Sequence, residues 1–321
     1  MAGQLTCQRS SSQGPRCDLP IVLAQHVAAP SSDVELAFSR DCSERPDPIY
    51  GVAVTNGSVT DHVANGLAWR ELGDGDPLVF LHGLGGTRRA WGPQLRSLSD
   101  RYRCIAWDMP GYGNAAPIEP LTYPAIAQRV VDLLDTLNID QATLIGLSFG
   151  GMHALHTALD HPDRVRRLVL ADSSPAFGID GTSREGWVKA RLDPIDAGGS
   201  PADAAEAIVD AITHVQLEGI VRDETVGAFS DISSAGFRAA VMCLPDNDVR
   251  ARLAEIKQPT LVVVGEHDEE TPLPYSQLLT DGIPNATLRV LPGAGHLSPA
   301  EVPDLFNEAL ATFLETTDRN S

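Results

Sequence analysis

Short apolar runs bounded by glycine, proline and polar residues recur along the chain from Ile49 onward, and stretches of helical spacing lie between them. Ile49 to Thr55 and His62 to Glu71 predict strands, with the Asn56-Gly57 step as the turn between them. Leu78-Val79-Phe80-Leu81 is continuously apolar, as a strand buried on both faces would be. Strands are then expected at Arg103–Trp107, Ala142–Ile145, Arg167–Ala171, Thr260–Val264 and Thr287–Leu291. Helices are expected at Pro124–Leu137, Phe149–Asp160 and Val302–Leu314. This alternation predicts an α/β fold, a mostly parallel central sheet with helices on both faces.

The interval from Pro175 to Asp248 breaks the rhythm. Ala202–Thr213 and Ser233–Cys243 have helical spacing there, and no core strand is evident. An insertion between consecutive sheet strands is expected to form a helical cap over the strands' carboxyl ends, where open α/β sheets bind ligands. The expected organisation is an extension at 1–47, a core at 48–174 and 249–316, a helical cap insertion at 175–248 and a tail at 317–321. Residues 1–47, rich in Ser, Pro, Arg and Gln and without an apolar period, are expected to be poorly ordered.

Composition narrows the partners. The 321 residues carry a formal charge of -19, which would repel a phosphate backbone and an anionic membrane. With 43 % hydrophobic and 21 % charged residues, the chain has ordinary globular composition. No apolar run approaches the roughly 20 residues that span a bilayer. Cys7, Cys17, Cys42, Cys104 and Cys243 show no metal-ligand spacing, and together with the lack of a clean secretory signal they suggest reduced thiols in a cytoplasmic protein.

The chemistry concentrates at strand ends. Gly146-Leu147-Ser148-Phe149-Gly150 fits G-x-S-x-G between a predicted strand and a predicted helix, the setting in which a serine hydroxyl is raised above a sheet edge. A hydroxyl is a weak nucleophile at neutral pH and needs a base, which in turn needs an orienting acid. His296, in the small-residue loop Gly293-Ala294-Gly295-His296, is the expected base. Asp268 is the expected acid, with Glu266, Glu269, Glu270 and Asp172 as rivals. Backbone N–H groups of Phe149 and of Leu84, in His82-Gly83-Leu84-Gly85-Gly86, are expected to form the oxyanion hole. His82 and His267 are expected to be loop residues. Gly111-Tyr112-Gly113-Asn114-Ala115-Ala116 imitates a dinucleotide fingerprint, but prolines flank it and no helix begins there. No metal and no cofactor are expected.

Together, Leu81–Gly86, Trp107–Gly113, Gly146–Gly151 and the Asp268 and His296 loops resemble the α/β-hydrolase superfamily over residues 50 to 316. The elbow, Glu185–Arg191 and Ala294–Ser298 look most like the 3-oxoadipate enol-lactonase and esterase group. This resemblance implies hydrolysis of a small carboxylic ester or lactone through an acyl-enzyme. Haloalkane dehalogenases and epoxide hydrolases place aspartate where Ser148 stands, and carbon-carbon hydrolases follow the base with tryptophan where Leu297 stands. Carbon-carbon hydrolysis or perhydrolysis on the same triad, and a non-catalytic receptor of the same fold, are the alternatives. Trp187 and Arg191, four residues apart, would share a helix face toward the pocket, and Arg191 could meet a substrate carboxylate.

Overall fold

The computed structural model describes residues 59–318. The strand expected at Ile49–Thr55, the Asn56-Gly57 turn, the 1–47 extension with Cys7, Cys17 and Cys42, and residues 319–321 of the tail lie outside the described residues. Eight strands form one sheet: β1 (Thr60–Ala64), β2 (Leu67–Leu72), β3 (Asp76–Leu81), β4 (Tyr102–Asp108), β5 (Ala142–Leu147), β6 (Val165–Ala171), β7 (Thr260–Gly265) and β8 (Ala286–Leu291). Their order is β1-β2-β4-β3-β5-β6-β7-β8. β2 pairs antiparallel with β1 and β4, and all other pairs are parallel.

The single strand expected over His62–Glu71 is instead a hairpin. Ala64 pairs with Leu67 across Asn65-Gly66, whose φ angles of 54° and 72° are both positive. Such a pair of angles is what a tight two-residue hairpin turn demands, and Asn-Gly supplies it at low cost.

Alternate residues of the central strands feed two cores on opposite faces. Val79, Leu81, Leu144, Leu168, Leu170 and Val262 join one core, together with α2 (Tyr123–Thr136) and α3 (Phe149–Asp160). Leu78, Phe80, Ile145, Val169, Leu261 and Val263 join the other, packed by α1 (Gly92–Leu98) and α10 (Pro303–Asp318). Each fully buried aliphatic side chain contributes about 1.5–3 kcal/mol, so both faces must be covered for the sheet to persist. α2 starts where the Thr122 hydroxyl accepts from Ala125 N, with Pro124 in the first turn.

Between β6 and β7 lie α4 (Arg184–Asp196), α5 (Ala205–Ile212), α6 (Gly219–Ser230) and α7 (Ser234–Cys243). No strand element falls in this described interval. Ala205, Val209, Leu217 and Phe229 form a small apolar cluster of the inserted helices. After β7 come α8 (Leu273–Gly282), β8 and the short α9 (Ser298–Glu301).

The chain passes from β3 to β4 on one side, then returns to β5 on the other side of β3. That reversal leaves a crevice beyond the carboxyl ends of β3 and β5, a general place for ligands in such sheets. The His82–Gly86 loop and Ser148 both follow those strand ends.

Candidate active site

β5 ends at Leu147 and α3 begins at Phe149, so Ser148 makes the turn alone. It sits at φ 54° and ψ −116°, outside the regions ordinary for an L residue. Such strain persists only when surrounding contacts impose it. Here Ser148 N donates to Ala171 O at 2.8 Å, and Ser173 Oγ donates to Ser148 O at 2.8 Å. The two glycines have a steric cause. A Cβ on Gly146 would overlap the Gly150 carbonyl, and one on Gly150 would overlap the Leu81 carbonyl. Within Ala142–Gly150 only Ser148 is partly exposed.

His296 follows β8, and its Nε2 stands 2.9 Å from Ser148 Oγ. Its Nδ1 lies 2.9 Å from Asp268 Oδ1 and 3.0 Å from Oδ2. An ionised carboxylate only accepts, so Nδ1 carries a proton, and Nε2 accepts from the serine when the ring is neutral. Asp268 is held in turn by Glu270 N at 2.9 Å, Thr271 N at 3.0 Å and Thr271 Oγ1 at 2.8 Å. Burial disfavours the imidazolium of His296, but the Asp268 carboxylate overrides it and raises the ring to about 9. Burial likewise pushes the Asp268 carboxyl up, while His296 and the Thr271 bonds bring it below its ordinary value.

The rival acids do other things. Among residues 266–270 only Asp268 is buried. Glu266 accepts from Gly293 N at 3.0 Å, and Glu270 faces Arg191 at 3.9 Å. Asp172 is fully buried at the end of β6, where it accepts from Gly265 N at 2.8 Å and from Ser298 Oγ at 2.6 Å. Burial, reinforced by the nearby Asp268 charge, pushes its carboxyl well above the usual range.

The loop after β3 runs beside the serine, for a Cβ on Gly83 would lie 3.4 Å from Ser148 Cβ. His82 fixes this loop: Nδ1 donates to Gly83 O at 2.8 Å, and Nε2 accepts from Met109 N at 3.0 Å. Burial lowers its pKa, which keeps the ring neutral as that pattern requires. Tyr112, in the Gly111–Ala116 loop, donates its hydroxyl to Leu84 O at 2.9 Å. Among the described residues, neither Leu84 N nor Phe149 N is bonded to a protein acceptor. Phe149 opens α3, where helix geometry leaves the first N–H groups over.

Trp187 and Arg191 do share a face of α4. The guanidinium stacks 3.9 Å above the indole ring, and Phe177 meets Trp187 edge-on at 5.4 Å. Burial lowers the Arg191 pKa, with Glu270 opposing the shift. Among the described residues, no group of three or more His, Cys, Asp or Glu side chains could hold a metal ion. No helix of the described residues is long and apolar enough to cross a membrane.

A family profile described as "Alpha/beta hydrolase family" matches residues 78–309, from β3 into α10. The chain belongs to that family. Relatives within it include 3-oxoadipate enol-lactonase 1 of Acinetobacter baylyi, 28 % identical over 74 % of this chain and 88 % of that protein. RutD of Variovorax paradoxus, provisionally named a carbamate hydrolase, is 34 % identical over 75 % of this chain and 92 % of its own. A thermophilic esterase from Thermogutta terrifontis superposes with a TM-score of 0.70 at 25 % identity, covering 81 % of this chain and 99 % of that one. These relatives place the chain with the enol-lactonases and esterases of the family and support hydrolase activity.

Several further residues shape this candidate site without having stood out in the sequence. Thr271 grips Asp268 through both its N–H and its hydroxyl; Asp268-Glu269-Glu270-Thr271 carried the signal, since Asp often accepts from N–H groups two and three residues onward. Ser173, which holds the elbow carbonyl, and Glu301, which binds peptide groups beside His296, had no motif to mark them.

Proposed function

We propose that this family member is a serine hydrolase of small carboxylic esters or lactones, with Ser148 as nucleophile, His296 as general base and Asp268 as its orienting acid. The observation that carries the reading is the continuous hydrogen-bonded line from Ser148 Oγ through the His296 ring to the Asp268 carboxylate. The likeness to proteins named enol-lactonase and esterase supports that substrate class.

Ser148 Oγ attacks the substrate carbonyl as its proton passes to His296 Nε2. Asp268 stabilises the imidazolium so formed. The N–H groups of Leu84 and Phe149 receive the negative charge on the carbonyl oxygen. Collapse breaks the acyl–oxygen bond, and the leaving alkoxide takes the proton from Nε2. His296 then deprotonates a water that attacks the acyl-serine, and the acid departs as Ser148 regains its proton. In a lactone the leaving alcohol stays attached to the acyl chain, so both steps deliver one product.

The helices between β6 and β7 act as a cap over this site, and Trp187 with Arg191 contact substrate. The stacked guanidinium, whose carboxylate partner among the described residues is Glu270 at 3.9 Å, suits a carboxylate on the substrate. The test is labelling with a fluorophosphonate, followed by assay of short p-nitrophenyl esters and lactones with wild type and Ser148→Ala. Covalent mass on Ser148 and turnover abolished by Ser148→Ala are expected. A folded wild type that neither labels nor hydrolyses any of them overturns the reading.

A further inference from the structure

Against the backbone of the His296 loop lies a carboxylate that the proposed reaction does not use. Glu301, the last residue of α9, is 7 % exposed. Its Oε2 accepts from Gly295 N at 2.9 Å, and its Oε1 accepts from Leu297 N at 3.0 Å, so it grips the peptide groups on either side of His296. The same Oε2 also accepts from His214 N at 2.7 Å and Val215 N at 2.8 Å, which belong to the inserted segment after α5. The remaining N–H of the loop, that of His296 itself, donates to Ile212 O at 2.9 Å.

A carboxylate offers about four acceptor sites, and here four peptide N–H groups bond to it, three at Oε2 and one at Oε1. Among the described residues no Lys, Arg or His side chain pairs with Glu301, so peptide dipoles alone meet its charge. Bonds to an ionised acceptor are about twice as strong as neutral ones, and a buried charge deprived of them is costly. The two segments touch backbone to backbone. A Cβ on Gly295 would fall 2.7 Å from His214 N and 3.0 Å from Ile212 O.

We propose that Glu301 is a positioning residue for His296, fastening the loop that carries the base to the inserted segment at Ile212–Val215. Asp268 orients the ring and Asp172 holds Ser298, but the 295–297 backbone keeps its full set of bonds only while that segment is seated. A shift of α5 that opens the site therefore moves His296 Nε2 away from Ser148 Oγ, and closure over substrate restores it. This inference rests on His296 being the base, and it adds a link between cap position and chemical competence.

The experiment compares wild type with Glu301→Gln, in which one acceptor oxygen becomes a donor facing peptide N–H groups. In wild type, the amides of His214, Val215, Gly295 and Leu297 should exchange slowly with deuterium, and the His296 Nδ1 proton should give a far-downfield NMR resonance. In Glu301→Gln, kcat should fall on the order of tenfold or more, as expected of a misplaced catalytic group. KM should stay within about twofold, the mark of lost transition-state alignment rather than lost binding. The downfield resonance should shift or broaden, and protection should fall at 212–215 and 295–297 together. Unchanged kcat, or a lower kcat with resonance and protection unaltered, overturns the proposal, as does fast exchange at these amides in wild type. If Glu301→Gln does not fold, Gly295→Ala parts the same two segments while keeping the carboxylate, and the same readouts decide. Absence of ester turnover in wild type would instead overturn the hydrolase reading, because resonance and exchange are read without turnover.

Discussion

Asp172, at the end of β6, accepts hydrogen bonds from both the N–H and the hydroxyl of Ser298, at 3.2 and 2.6 Å, two residues beyond His296. Its other oxygen takes Gly265 N, three residues before Asp268. One buried side chain thus spans the loops that carry His296 and Asp268.

Asp172→Ala should therefore destabilise the fold by roughly 3 kcal/mol or more, since each buried donor left unpaired costs about 1–3 kcal/mol. The backbone at φ 46° adds to this, because Asp and Asn tolerate that region better than Ala. Urea unfolding would reveal it, and an unchanged midpoint would remove this role. Asp172→Asn should lose less. The pH dependence has a definite sign: the raised native pKa means that the folded state binds the proton more tightly than the unfolded one. Stability contributed by this group falls as pH rises from the unfolded value of 3.8 through the native one. Asp172→Asn should gain on wild type over that rise.

The acid limb of kcat/KM should lie above the ordinary imidazole value of 6.5, because Asp268 raises His296 to about 9 against its burial. Activity rises through this limb as the neutral base becomes populated. Asp268→Asn should move the limb downward, leaving burial opposed only by the weaker pull of Asp172 and Glu270, and cut turnover on the order of 10⁴-fold by favouring the wrong tautomer. A limb that stays in place in Asp268→Asn would show that Asp268 does not set the base.

Ser148→Ala and Ser148→Gly should both be inactive yet differ in stability. Alanine keeps a Cβ at φ 54° and ψ −116°, whereas glycine relieves the strain, so Ser148→Gly should be the more stable by about 1 kcal/mol. Calorimetry of the two variants measures the strain stored at the elbow. Equal melting points would mean that none is stored there.

Arg191→Ala should raise KM for esters that bear a carboxylate while leaving neutral esters nearly untouched. A matched pair of such substrates, assayed with Trp187→Phe alongside, separates charge recognition from packing against the indole ring. Equal losses on both substrates would assign Arg191 to packing.

What the chain's pattern disclosed and what it hid have physical causes. The buried parallel strands were legible because runs such as Leu261-Val262-Val263-Val264 satisfy no other environment as well. The first hairpin was not, since the Asn-Gly step at 65–66 lies within a run of strand formers and no apolar break announces it. α4 and α6 were hard to delimit because they lie half-exposed in the insertion and have no clean apolar stripe. Of Ser148, Asp268 and His296, chosen from motif and strand-end position, the histidine comes within hydrogen-bonding distance of both others. Glu301 and Asp172 escaped notice as supports because their partners are mainly peptide groups, which every residue possesses and no sequence pattern reveals.

The four-residue apolar cluster within the insertion has an evolutionary consequence. α5 and α6, which share that cluster, can diverge or lengthen while the sheet beneath keeps its register, whereas α4 and α7 reach into the main core through Leu192, Phe237 and Val241. Substrate range can then drift faster than chemistry. The limits on that drift lie at its seams: Asp172 and Ser173 must stay, and any replacement must still offer a carbonyl where Ile212 stands and two N–H groups where His214 and Val215 stand.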